Sequence, residues 1–312
     1  MRRRRPIYVE SRIRAPIDAL WAATQEPGQH ARWDVRFGSI EHQPQEGDGP
    51  QRFTYATSVA PGITIAGTGE SLGDRDRPDG TRWSGLKFWA DDRRSIIAAG
   101  AGYWRYVPTT DGVRFITRFD YRPRWGRFGE GVDRYLVRPV FGRATAWSFD
   151  RLRLWLERGI TPERSRDQAI AHGAAVAGLA GVWLYQGIVP KLWRVDDGEV
   201  ALWRTAVGLD HGAARAAVRT AGALEVAVGL AVATRSRARW PFVLTAVGMP
   251  VLTTAAWHAD RRLLSRAFNP VTLNGAMVAL AVVALASRRD LPSAGTPLRL
   301  APDVQPDVGD LP

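Results

Sequence analysis

Residues 174–184 read Ala-Ala-Val-Ala-Gly-Leu-Ala-Gly-Val-Trp-Leu, and residues 275–286 read Gly-Ala-Met-Val-Ala-Leu-Ala-Val-Val-Ala-Leu-Ala. Neither run holds a charged residue on any face, which a helix exposed to water would not tolerate. They sit inside four apolar stretches, at about 170–190, 220–234, 240–257 and 271–287, against the ~20 residues needed to cross ~30 Å of hydrocarbon. Trp183, Trp193, Trp203, Trp240 and Trp257 stand near the stretch ends, where interfacial aromatic belts form. Small residues dominate the interiors, as close helix packing in lipid permits. A soluble bundle predicts polar faces that these runs lack, so residues 161–290 are expected to form an all-α bundle of four transmembrane helices.

Moving outward, the composition changes at Gly159-Ile160-Thr161-Pro162. Before it lies a different pattern. Ile7, Val9, Ser11 and Ile13 alternate with Tyr8, Glu10 and Arg12, which is strand period. Pro16 then opens a short amphipathic helix carrying Ile17, Leu20 and Trp21. Strand candidates follow at 53–59, 63–69, 81–88, 95–99, 103–107 and 113–121, separated by turn-rich stretches such as Arg77-Pro78-Asp79-Gly80. In the last, Val113, Phe115, Thr117, Phe119 and Tyr121 share one face. A terminal helix closes the half, with Thr145, Phe149, Leu152 and Leu156 on one stripe and Arg151, Arg153, Glu157 and Arg158 outside it.

Net charge is +12, and almost all of it is arginine, since the only lysines are Lys87 and Lys191. With no zinc-finger spacing, RNP motif or basic recognition helix, no nucleic-acid partner is expected. The absence of cysteine excludes disulfides, thiolate catalysis, iron–sulfur clusters and c-type haem attachment. The run Arg2 to Arg5 has no apolar segment behind it, so it is not expected to open a signal peptide. No His-x-x-x-His or paired-carboxylate spacing supports a metal or an acid–base dyad. His30 and His42 read as surface or loop residues, Gly67-Thr68-Gly69 and Gly100-Ala101-Gly102 as bends or bulges, and residues 291–312 as a disordered tail.

Strand, short helix, curved antiparallel meander and long C-terminal helix make an α+β helix-grip domain over residues 1–160. The opening Ile7-to-Trp21 pattern and the closing Trp147-Ser148-Phe149-Asp150-Arg151-Leu152 helix resemble the SRPBCC family, of START-like and polyketide-cyclase-like fold. That resemblance implies a pocket for a lipid, sterol, polyketide or other hydrophobic ligand, with enzymes a minority. Trp83, Phe88, Tyr103, Trp104, Phe115, Phe119, Phe149 and Leu152 are the candidates to line it, although an aromatic stripe at strand spacing more often forms plain core. No catalytic residue emerges.

In the second half, Trp183-Leu184-Tyr185-Gln186-Gly187-Ile188-Val189-Pro190-Lys191, followed by Gly222…Glu225 and Asn269-Pro270, is similar to the DoxX-like membrane family. DoxX relatives include a subunit associated with thiosulfate:quinone oxidoreduction, so a quinone is the one cofactor the resemblance suggests. Four spans put both termini on one side. The arginines of the first half, Arg235, Arg237, Arg239, Arg288 and Arg289 would share that side, making it the cytoplasmic face of the inner or plasma membrane. Tyr185, Gln186, Lys191, Glu225, His258, Asn269 and Asn274 would then fall toward the opposite leaflet. Glu225 is costly in an apolar helix unless paired, with Lys191, Tyr185 or Gln186 as the expected partner. The group is either a polar site or an interhelical clamp. The expected activity is handling of a lipid, isoprenoid or quinone, with membrane lipids and a hydrophobic small molecule as partners. The alternatives are an accessory subunit of a quinone-linked oxidoreductase, with a redox partner or a second copy of the chain, and a cyclase or aromatase; whether any reaction is catalysed stays open.

Overall fold

The computed structural model describes residues 5–45, 47–60, 62–259, 261–262 and 269–301. Residues 2–4 of the arginine run and 302–312 of the expected tail lie outside them. The chain divides into two compact units, residues 1–165 with 292–312, and residues 166–291.

The first unit opens with β1 (Ile7–Ile13), α1 (Ile17–Gln25), α2 (Pro27–Trp33) and β2 (Ser39–His42). A meander follows, β3 (Arg52–Ala60), β4 (Ile63–Asp76), β5 (Arg82–Trp89), β6 (Ile97–Thr109) and β7 (Gly112–Pro123). The seven strands form one antiparallel sheet in the order β1-β7-β6-β5-β4-β3-β2, so the first strand lies beside the last. After α3 (Gly126–Val132) and a π-helical turn (Asp133–Val137) comes the closing helix α4 (Arg138–Arg158), which stops at Gly159 in the left-handed conformation, φ 67°. Period-2 alternation decides the inner face. Val113, Phe115, Thr117, Phe119 and Tyr121 are buried, while Arg114, Arg118 and Asp120 between them are partly exposed. Helix α4 packs on β1, and Phe149 stacks on Phe115 with ring centroids 4.4 Å apart. Val9, Ile13, Leu20 and Leu152 complete that core.

The structure corrects several expectations. The candidates at 95–99 and 103–107 are one strand, β6, and the two glycine clusters are regular ladder positions, not bends or bulges. A Cβ on Gly100 would overlap the Phe88 ring and the Asp120 carbonyl, and one on Gly67 or Gly69 would overlap the ring of Tyr55 or Phe53. These glycines are the floor on which cross-strand rings lie. Gly100→Ala should therefore cost about 1–3 kcal/mol by overpacking, read as a lowered thermal midpoint. Gly28→Ala, where a Cβ meets nothing within 4 Å, should cause no loss.

Arg151 is not on the outer stripe of α4. It is buried and donates to the carbonyls of Trp33 (3.1 Å) and Arg32 (3.1 Å), at the C-terminal end of α2, and to that of Pro162 (2.7 Å) at the start of α5. Nor does the tail begin as disorder. Ser293 N donates to Asp150 at 2.8 Å, and Leu298 exchanges two backbone hydrogen bonds with Glu10, 2.9 and 2.8 Å, covering the free edge of β1.

The second unit holds most of α5 (Pro162–Gly187), a π-helical turn (Ile188–Trp193), α6 (Asp197–Val207), α7 (His211–Thr234), α8 (Trp240–Ala259) and α9 (Pro270–Ser287). Among the described residues, four helical segments are long and apolar enough to cross a membrane: Pro162–Trp193, His211–Thr234, Trp240–His258 and Pro270–Ser287. Asp196, Asp210 and Asn269 cap α6, α7 and α9, each side chain accepting from a backbone N–H three residues on. Leu179, Trp183, Phe242, Met249, Met277 and Ala281 form the core. At Gly187 a Cβ would stand 2.6 Å from the Gly222 carbonyl, so the backbones touch there.

Candidate functional site

Helix α4 covers the β1–β7 end of the sheet, and the remaining inner surface lines a partly open cavity of about 210 Å³. One enclosed water needs about 10–15 Å³, so the space suits an organic molecule. Its wall takes Ile40 from β2, Phe53 and Tyr55 from β3, Ile65 from β4, Leu86 and Phe88 from β5, Ile97 and Trp104 from β6, and Phe119 from β7. Of the sequence candidates, the side chains of Phe88, Trp104 and Phe119 line it; Tyr103 borders it too, but its ring lies on the other face of the sheet. Phe115, Phe149 and Leu152 have no exposed surface and belong to the core under α4. Trp83 is on the other face of β5, since Ser84, Leu86 and Phe88 point inward; it packs against Tyr103 (4.7 Å between ring centroids) and Arg105 (5.0 Å from guanidinium to ring).

The sequence reading missed the polar corner of this cavity. His30, expected at the surface or in a loop, is buried on α2 and lines the wall, its ring 4.9 Å from Trp104, 5.1 Å from Trp33 and 5.2 Å from Phe37. Pro27 at the first position of α2 fixes that helix, and a spacing of four puts His30 and Asp34 on one side of it. Asp34 is fully buried. Its Oδ2 meets His30 Nε2 at 3.3 Å and Arg36 Nη2 at 2.5 Å, while Oδ1 accepts from Arg36 Nε at 2.9 Å and Ser148 Oγ at 3.3 Å. Burial alone would raise the Asp34 carboxyl, but the charge and hydrogen bonds of Arg36, aided by His30, hold it well below the usual carboxylate range. Burial lowers the His30 value, outweighing the pull of Asp34. The imidazole is thus neutral near pH 7, with Nε2–H donated to Asp34. The other histidine, His42, ends β2 at the exposed rim. Trp33 and Asp34, three and four residues on and so on the same side of a helix as His30, are the signal that could have marked it as inward.

In the second unit, Lys191 on the π-helical turn is buried and stands between two carboxylates, Glu225 Oε2 at 3.1 Å and Glu199 Oε1 at 3.3 Å. Glu199, on α6, was not anticipated. The other polar candidates do not join them. Asn274 donates to Thr253 Oγ1 at 2.8 Å, Asn269 caps α9, His258 Nδ1 bonds within α8 to the Thr254 carbonyl, Gln186 is half-buried and Tyr185 is exposed. His172 went unnoticed in the sequence: its Nδ1 meets the Ala284 carbonyl at 3.1 Å and its Nε2 the Ser236 carbonyl at 3.0 Å. It ties α5 to α9 and to the α7–α8 turn. Among the described residues no group of three or more histidines and carboxylates is placed to hold a metal ion.

A helix-grip domain with an internal cavity, joined to a bundle of four membrane-length apolar helices, defines a membrane protein of two unlike parts. A DoxX-like family model matches residues 180–282. The uncharacterized membrane protein YndG of Bacillus subtilis (strain 168) is 39% identical over 186 residues, 59% of this chain and 69% of that one. The chain belongs to the YndG family of membrane proteins and carries a DoxX-like domain in its second half. Among solved structures, the STAR-related lipid transfer protein of Xanthomonas axonopodis is similar at 19% identity, covering 48% of this chain and 85% of that one with TM-score 0.37. The Zhui aromatase/cyclase of Streptomyces sp. R1128 is similar at 15% identity, covering 50% and 97% with TM-score 0.37.

Proposed function

We propose that the helix-grip domain takes up one hydrophobic molecule of the lipid or isoprenoid class, exchanged with the membrane that holds the bundle. The observation that carries this reading is the partly open, aromatic-walled cavity with a single charged corner, the usual composition of a small-molecule site. Leu86 lies on its wall, and Leu86→Trp would fill it. The full chain, extracted in mild detergent and examined by native mass spectrometry, should carry a co-purified lipid that the Leu86→Trp variant lacks. Identical adducts on both proteins would refute the reading.

The arginines support a cytoplasmic helix-grip domain and C-terminus in an inner or plasma membrane: Arg235, Arg237 and Arg239 between α7 and α8, and Arg288 and Arg289 after α9. Membrane lipid is also the partner we assign to the face around α3, where Trp125, Phe128, Tyr135 and Leu136 are exposed beside exposed Arg127 and Arg134. Because the chain has no cysteine, Phe128→Cys offers one labelling site. A polarity-sensitive dye there should shift to the blue in nanodiscs containing anionic lipid. Emission unchanged from that in zwitterionic nanodiscs would rule out the contact with anionic lipid. For the bundle, the pairing of Lys191 with two carboxylates favours an interhelical clamp over a quinone site.

A further inference from the structure

Several polar groups on the cavity wall are spent on hydrogen bonds within the protein. Thr24 Oγ1 bonds to Tyr106 Oη (2.7 Å) and donates to its own helix, Gln25 Nε2 donates to the same phenol (3.0 Å), and Ser84 Oγ donates to Gln25 Oε1 (3.3 Å). Thr57 Oγ1, the His42 ring and Trp104 Nε1 have no hydrogen-bond partner among the described residues, and two further unpaired groups stand together at the charged corner. His30 gives Nε2 to Asp34, and its Nδ1 has no hydrogen-bond partner among the described residues. Arg36 gives Nε and Nη2 to Asp34, and its Nη1 has no partner among them.

Resting on the reading that this cavity holds a hydrophobic ligand, we infer that the ligand's head is a hydroxyl, so that the substrate class is a long-chain or isoprenoid alcohol, or a phenol. The hydroxyl donates to His30 Nδ1 and accepts from Arg36 Nη1. With Asp34 ionised, its hydrogen bond requires the proton on Nε2, so Nδ1 is a bare acceptor. The low value that burial imposes on the ring keeps it so near neutrality. An acceptor-only head such as an ester, ether or ketone satisfies Arg36 alone and leaves Nδ1 buried without a donor. A carboxylate adds a second anion beside Asp34. Leaving one buried acceptor unpaired costs enough to weaken binding by about tenfold or more.

The test uses the full chain in nanodiscs, incubated with equimolar geranylgeraniol and its methyl ether and read by native mass spectrometry. Adducts that persist in Leu86→Trp are annular and are subtracted. The ratio of bound alcohol to bound ether in the wild type, divided by that in His30→Phe, cancels partitioning into the disc. That quotient should be at least about ten, and His30→Gln, which keeps an acceptor oxygen, should recover part of the preference. A quotient near one, with both ligands bound above the Leu86→Trp background, overturns the hydroxyl assignment and leaves the cavity reading standing. No ligand above that background for any probe overturns both. Should His30→Phe fail to fold, the wild-type protein alone decides: a fatty alcohol that fails to displace bound methyl ether at equal bulk concentration sinks the assignment.

Discussion

Replacing Lys191 with methionine lowers the unfolding free energy of the bundle by about 3–5 kcal/mol, the usual cost of stranding a buried charge. Two carboxylates, Glu225 and Glu199, lie within 3.3 Å of the ammonium. Glu225 belongs to α7, within an apolar span, where an unpaired charge is more costly than in water. The effects of the two partners differ. Glu225→Gln removes one anion and leaves Lys191 its contact with Glu199, so its cost is expected to be smaller, about 1–2 kcal/mol. The double variant Lys191→Met/Glu225→Gln should recover part of the loss seen in Lys191→Met. Chemical unfolding in a fixed detergent measures all three. Equal costs for the two single variants would mean that Glu199 contributes nothing to holding Lys191.

The second large effect is expected in the helix-grip domain. Asp34→Ala should destabilise it by about 3 kcal/mol, because it leaves the partly buried Arg36 guanidinium without its anion and removes the acceptor that orients His30. The pH dependence follows from the directions of the two shifts. In the folded protein the Asp34 carboxyl lies below its unfolded range near ~3.9. Its contribution is therefore complete above that value and is lost as pH falls through the folded one. The His30 ring lies below its unfolded value near ~6.5, so the unfolded chain takes the proton first and stability begins to erode as pH drops under about 6.5. His30→Gln should abolish the loss between about pH 6.5 and 5 while leaving the steeper acid loss that Asp34 causes. Thermal midpoints of the wild type and the variant, measured across that range, check the sign.

The bundle was legible because an uncharged run of a dozen residues has one physical resolution in a short chain. Alternation over 113–121 likewise fixed which face of β7 turns inward. What alternation does not encode is which part of that face the closing helix covers. Phe115 and Phe119 look alike in the sequence, yet Phe149 lies on the first and the cavity opens at the second. The His30 corner was illegible for another reason: Asp34 and Arg36 are close in sequence, but Ser148 and Trp104, which close the corner, come from distant elements. Lys191 and Glu225 were foreseeable as a pair, since a carboxylate in an apolar helix calls for a cation and only two lysines exist. Glu199 was not, because nothing in its local pattern says that α6 turns back toward the bundle.

The backbone exchange between Leu298 and Glu10 sets an order for biogenesis. A ribosome emits β1 before the four apolar helices and Leu298 only after them. At about 5–20 residues per second, the stretch between α4 and Leu298 takes on the order of ten seconds. For that interval the outer ladder of β1 is a nascent sheet edge with unfilled donors and acceptors, the kind of surface to which holdase chaperones bind. Insertion of the helices and completion of the water-facing domain are thus coupled in time, and a chain stalled during insertion presents an unsealed strand to the quality-control machinery.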